Sequence, residues 1–158
     1  MNKVLVTGGC GYIGSHTIVE LLENNYEVIS IDNFSNSEPS VLDSIYDITN
    51  KRIINYRIDL RDINELKKVF QNNEIEFVIH FAAFKSVPES VTDPLSYYDN
   101  NINGLINLLK FCNEFNVKNS YFLLLVQYMV HQRMYLYLRI VKYHRSRLTQ
   151  EQSIFVKR

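Results

Sequence analysis

The chain has 158 residues, a length that fits one domain. Apolar residues make up 46% and charged residues 22%, which supports an ordered core and excludes global disorder. Seventeen basic residues balance seventeen acidic ones, so no overall field draws the chain to nucleic acid or to an anionic membrane. Two cysteines, Cys10 and Cys112, are too few for a disulfide framework and fit a reducing, cytoplasmic setting. The longest apolar run, Tyr121 to Val126, is too short to span a bilayer, so no membrane partner is expected. Met1-Asn2-Lys3 leads straight into a strand-like segment with no signal-peptide pattern.

In chain order, Lys3–Val6 is a short β-branched run ending in a glycine cluster, which reads as a buried strand and a tight turn. Ile13 to Asn24 carries Ile13, Thr17, Ile18, Leu21 and Leu22 at helical spacing. Glu27–Ile31 is a second strand ending at Asp32, and Arg52–Ile58 a third ending at Asp59. Asp62 fits a helix N-cap with Glu65 as its capping-box partner, opening a helix to about Asn72. Phe77–Phe81 is a fourth strand. Asp93-Pro94 then caps a helix on which Leu95, Tyr98, Ile102, Leu105, Leu108 and Phe111 line one face. Strands separated by helices predict an α/β fold, a doubly wound parallel sheet with right-handed crossovers.

The stretch Thr7-Gly8-Gly9-Cys10-Gly11-Tyr12-Ile13-Gly14 lies between a predicted strand and a predicted helix, the context in which a glycine fingerprint carries weight. Glycine permits positive φ and close backbone approach to a pyrophosphate, and the helix start offers unpaired N–H groups. Asp32 sits where a carboxylate accepts bonds from ribose hydroxyls, which favours NAD over the 2′-phosphorylated NADP. No cluster of His, Cys and carboxylates has metal-ligand spacing.

The opening Val4–Thr17 resembles the extended short-chain dehydrogenase/reductases, a Rossmann-like class. Three further stretches narrow the resemblance to the UDP-glucose 4-epimerase family: Asp32–Ser37, His80–Val91 and Pro94–Gly104. The resemblance runs almost continuously to about residue 119. It implies that Gly8, Gly11, Tyr12, Ile13 and Gly14 form the turn against the NAD pyrophosphate. It implies that Asp32, Asn33, Asn36 and Ser37 hold the adenosine ribose, and that Asp59 and Leu60 flank the adenine. Phe81, Ala82, Ala83 and Lys85 would line the path to the nicotinamide half, and Asn100 would bond the cofactor from its helix. Asp59 also reads as a simple cap for the turn that follows, His80 as a packed strand residue, and Cys10 as a turn residue. The resemblance further implies a UDP-sugar substrate, interconversion of UDP-glucose and UDP-galactose, and a homodimer through helices near Tyr97–Asn103. A 4,6-dehydratase is an alternative, against which Phe84–Val91 argues, and a non-catalytic NAD-binding module is another.

The family's catalytic groups are missing, so no catalytic residue is assigned. The resemblance implies a tyrosine as proton acceptor, with a lysine four residues on to lower its pKa. It also implies an upstream serine after the fifth strand. Here Tyr135 is followed at that distance by Arg139, Tyr137 by Val141 and Tyr143 by Arg147. Composition also changes at Asn119. Residues 1–119 hold 10 Lys/Arg against 16 Asp/Glu, whereas residues 120–158 hold 7 against one, Glu151. All five glycines and all three prolines lie before residue 119, and five of the eleven tyrosines lie after it. Reading the tail one base out of phase, with chosen third bases, lets Tyr121 to Gln132 spell Phe-Ser-Ser-Ser-Ser-Ala-Ile-Tyr-Gly-Ser-Ser. The same offset turns Leu148 to Phe155 into Tyr-Pro-Arg-Thr-Lys-Tyr-Phe, restoring the tyrosine–lysine pair. The sequence therefore divides into residues 1–119, an incomplete NAD-binding domain, and residues 120–158, an aberrant, frame-shifted tail. Taken instead as a genuine segment, the tail offers Tyr121–Val126 as a fifth strand and Met129–Tyr143 as a helix. A nucleic-acid role for this basic tail lacks any recognised module.

Overall fold

The computed structural model describes residues 3–130, 133–144 and 147–157, with side chains as far as Phe122. β1 (Lys3–Thr7) leads through the glycine turn into α1 (Tyr12–Glu23), and β2 (Glu27–Ile31) returns beside it. α2 (Val41–Thr49), β3 (Ile54–Tyr56), α3 (Ile63–Asn72) and β4 (Phe77–His80) follow. α4 (Val87–Thr92), α5 (Pro94–Tyr98), a π-helical turn (Asp99–Asn103) and α6 (Gly104–Glu114) lead to β5 (Asn119–Val130). β6 (Arg133–His144) and β7 (Arg147–Lys157) come last. The strands form one sheet in the order β3-β2-β1-β4-β5-β6-β7. The first five run parallel, and β6 and β7 are antiparallel to their neighbours.

Alternation along the central strands splits the core between the two sheet faces. Val4 and Val6 of β1 and Val28 of β2 pack with Ile18 and Leu22 of α1 and Ile45 of α2. Leu5, Ile29, Ile31 and Val78 face the other way, against Leu66, Val69 and Phe70 of α3 and Leu108, Phe111 and Cys112 of α6. Helices thus cover both faces, as the alternating pattern predicted. The Asp62 carboxylate caps α3, accepting from the backbone N–H of Asn64 and of Glu65, each at 3.1 Å. Glu65 pairs with Lys68 instead of completing the capping box.

The structure differs from the sequence reading in four places. The third strand is shorter than Arg52–Ile58, and α2 and α4 add helices that the pattern left unassigned. The apolar stripe from Leu95 to Phe111 does not face one way: Leu95, Tyr98 and Ile102 are exposed, while Leu108 and Phe111 are buried. Most steps of that stripe are three residues, short of the 3.6-residue turn, so it winds around the helix. The helix read over Met129–Tyr143 is strand through Val130 and again from Arg133, and residues 131 and 132 lie outside the described residues. Alternating Tyr135, Leu136, Tyr137 and Leu138 follow a strand period, and the segment is rich in aromatic and branched residues. The fifth strand does form, pairing Asn119–Phe122 with Phe77–His80.

Candidate functional site

In an open parallel sheet, ligands settle at the carboxyl ends of strands where the strand order reverses. Here that point lies between β1 and β4. A cleft of about 400 Å³ opens there, lined from the loops after β1, β2, β3 and β4 and from the π-helical turn.

The turn after β1 is built by close backbone contact. Gly8 has φ +68°, and a Cβ there would stand 2.7 Å from the Ala82 backbone nitrogen, so the loops after β1 and β4 touch at main-chain level. A Cβ on Gly14 would stand 2.1 Å from the Gly8 carbonyl oxygen, so glycine is required for α1 to pack beneath the turn. Gly11 differs: a Cβ there would meet only the Gly8 carbonyl oxygen, at 3.3 Å, and would otherwise enter the cleft. Gly11 is also the N-cap of α1, and no side chain caps this helix. The first-turn N–H groups therefore lack a side-chain acceptor, as an anion site requires.

Asp32 directly follows β2 and organises the turn around it. One carboxylate oxygen accepts from the Cys10 backbone N–H at 2.9 Å. The other accepts from the Phe34 N–H at 2.9 Å and the Ser37 hydroxyl at 2.8 Å. A carboxylate offers about four acceptor positions, so Asp32 keeps room for one more donor. The Phe34 bond helps to hold that residue at φ +61°, an unusual conformation for a bulky side chain, in the midst of the cleft-lining loop. Asn33 bridges to the next loop, donating to Asp59 at 3.2 Å.

Asp59 lies in the loop after β3 and does both things the sequence allowed. Its carboxylate accepts from the Arg61 backbone N–H at 2.9 Å, capping the turn, and it lines the cleft. The Arg61 guanidinium beside it holds its carboxyl below the usual range. Arg61 also reaches Asp99 at 2.8 Å, tying this loop to the π-helical turn.

Beneath the cleft, His80 of β4 is buried and shares a 2.7 Å hydrogen bond with the Thr7 hydroxyl of β1. It packs as a strand residue, as its position suggested. Cys10 is buried and carries a free thiol, pushed up to about 12 by burial and then by the Asp32 charge. Burial also lowers the pKa of Lys85 from the ordinary lysine value.

The cleft is lined by Gly8, Gly11, Tyr12, Asp32, Asn33, Asn36, Ser37, Asp59, Leu60, Phe81, Ala82, Ala83, Lys85 and Asn100. Ile13 and Gly14 stand behind the lining, in the first turn of α1. Ser35, within the Asp32–Ser37 stretch, also lines it, as do Ile31, Ile58, Phe84, Ser86, Glu89 and Tyr97, which the sequence reading does not assign to the site. Their signal in the sequence is continuity with the chosen residues, since each of these six sits beside one or within four positions of one.

Glycine turn, uncapped helix start, strand-end carboxylate and switch-point cleft together define a Rossmann-like α/β domain. The chain belongs to the family described as GDP-mannose 4,6 dehydratase, which matches residues 5–127. Among individual proteins it is similar to UDP-glucose 4-epimerases. It is 51% identical over 119 residues to UDP-glucose 4-epimerase uge1 of Schizosaccharomyces pombe, covering 75% of this chain and 34% of that protein. The UDP-glucose 4-epimerase of Bacillus subtilis is 49% identical over 119 residues, covering 75% and 35%. The crystal structure of the Bifidobacterium longum UDP-glucose 4-epimerase, in complex with NAD+ and UDP, superposes with a TM-score of 0.75 at 47% identity. That match covers 77% of this chain and 36% of the other. The chain thus spans about a third of the length of these two curated relatives.

Proposed function

We propose that residues 1–119 are the NAD-binding part of a UDP-glucose 4-epimerase, acting in the cytoplasm on UDP-sugars. The observation that carries this is the uncapped start of α1 opening, through Gly11, onto the same cleft as Asp32 and Lys85. The residues present fit the cofactor. The room that a Gly11 Cβ would fill, beside free first-turn N–H donors, suits a diphosphate. The remaining acceptor position of Asp32 suits a ribose hydroxyl, and its charge opposes a 2′-phosphate. Asn33, Asn36 and Ser37 flank that ribose, Asp59 and Leu60 the adenine, and Ile13 and Gly14 shape the turn. Phe81, Ala82, Ala83, Lys85 and Asn100 face the nicotinamide half. Held by these residues, NAD would supply reversible hydride acceptance at C4 of the sugar, the chemistry by which UDP-glucose and UDP-galactose interconvert. This chain's own residues bind and orient the cofactor. They include no tyrosine with a lysine four residues on to move the 4-OH proton, so the chain itself turns over no sugar.

The matches to the two relatives take in 119 residues, 75% of this chain, and composition changes at Asn119. This supports reading residues 120–158 as an aberrant tail displaced by one base. The missing tyrosine–lysine pair favours a second reading, a non-catalytic NAD-binding module. The exposed apolar stripe Leu95, Tyr98, Ile102 and Ile106 supports a homodimer through these helices.

Calorimetric titration of NAD+ into the purified chain tests the cofactor reading. Binding is expected, and Gly11→Ala should lower the affinity by roughly tenfold or more with the fold retained, because its Cβ enters the cleft. No binding by the unaltered chain would overturn the reading. Conversion of UDP-galactose by the purified chain would overturn the statement that it lacks turnover.

A further inference from the structure

We propose that Asn101 and Tyr97 are positioning residues that set Lys85 at the cleft by fixing the main chain on both sides of it. The proposal rests on the reading of the cleft as an NAD site.

Lys85 sits on the loop after β4 and makes no ion pair among the described residues, so its place is set by the backbone that carries it. On one side, the Phe84 N–H donates to Asn101 Oδ1 at 2.8 Å, and Asn101 Nδ2 donates to the Phe84 carbonyl at 3.0 Å. A backbone N–H only donates and a carbonyl only accepts, so this pair fixes the orientation of the Asn101 amide. On the other side, the Ser86 N–H donates to the Tyr97 hydroxyl at 3.0 Å, and that hydroxyl donates to Glu89 at 3.0 Å. The Phe84 and Tyr97 rings pack with centroids 5.4 Å apart. Both neighbours of Lys85 are therefore tied to one short helical stretch.

The π-helical turn makes the reach possible. Successive residues of an α-helix point about 100° apart. Here the adjacent Asn100 and Asn101 both turn inward: Asn100 lines the cleft, Asn101 grips Phe84, and Asn100 Nδ2 donates to Asn101 Oδ1 at 2.9 Å. Single π-turns within helices recur at functional sites. A lysine side chain loses much rotamer freedom on binding, and a loop already held in place reduces what remains to be ordered.

The test uses the full chain with Asn101→Leu, Tyr97→Phe and Lys85→Ala, singly and with Asn101→Leu combined with Lys85→Ala. Hydrogen exchange of residues 81–86 is measured without cofactor, and NAD+ and ADP are titrated separately. Asn101→Leu should speed exchange in that loop and weaken NAD+ about tenfold while leaving ADP, the adenine half, unchanged. Tyr97→Phe should act in the same direction. Lys85→Ala should cost little further in the Asn101→Leu background, because both act through one contact. Unchanged exchange, equal loss of ADP and NAD+, or full additivity would overturn the proposal. If Asn101→Leu does not fold, Asn101→Asp, which keeps the acceptor and loses the donor, is read in the same way. Absence of NAD+ binding by the unaltered chain fells the cofactor reading, and this proposal with it. NAD+ binding that is indifferent to Asn101→Leu fells this proposal alone.

Discussion

His80 shows how the floor of the cleft is held. It is buried beside Thr7, and burial, then the nearby Lys85 charge, pushes its pKa down to about 4. The unfolded chain has an ordinary histidine near 6.5, so it binds a proton there that the folded chain refuses. The stability tied to neutral His80 is therefore complete above pH 6.5 and is lost as pH falls towards 4. Urea denaturation at pH 7 and pH 5 should show roughly 2 kcal/mol of loss from this residue alone. His80→Phe should flatten that slope, and an unchanged slope would remove His80 as its source. The same scale shows what the sequence could and could not reveal. Asp32 was legible as a strand-end carboxylate. That it first binds Cys10, Phe34 and Ser37 was not, because those bonds depend on how the turn folds back.

Elements with a strong period were legible. β1, β2, α1 and α3 fall within a residue or so of where their patterns put them, because burial on one face fixes the period. The capped start of α3 at Asp62 was readable for the same local reason. The long helix was not. Its stripe mixes residues that meet the core, Leu108 and Phe111, with residues that meet solvent, Leu95 at 78% exposure and Tyr98 at 63%. The π-helical turn between them leaves no mark in hydrophobic period. The exposed half has a consequence if these helices pair between copies. Ile102→Glu should move the chain from dimer to monomer in sedimentation equilibrium, with folding stability changed by no more than about 0.5 kcal/mol. A chain that is monomeric before the change, at every concentration, would dispose of the pairing.

At the scale of the whole molecule, the two sheet-face cores draw, among the described side chains, on residues from Val4 to Phe122. The composition break at Asn119 therefore falls within the packed region, since Ser120 and Phe122 beyond it are buried. If the tail is displaced by one base, sequencing of genomic DNA and transcript across the codons for Val117 to Arg158 should find an adjacent open frame. That frame should carry the serine strand, the tyrosine–lysine pair and a long continuation. A confirmed frame with no such neighbour would make the tail genuine. The strand order also governs what happens while the chain is being made. The sheet grows outward from β1 on both sides, so β1 gains β2 early but receives β4 only when Phe77 arrives. At roughly 5–20 residues per second of synthesis, the stretch between β3 and β4 leaves that central edge uncovered for a few seconds. Once β4 docks, the front of the molecule has its central strand enclosed before any residue of the tail has been translated. The ribosome thus delivers the central strands first, and α6 and whatever follows Asn119 are added to a fold already under way.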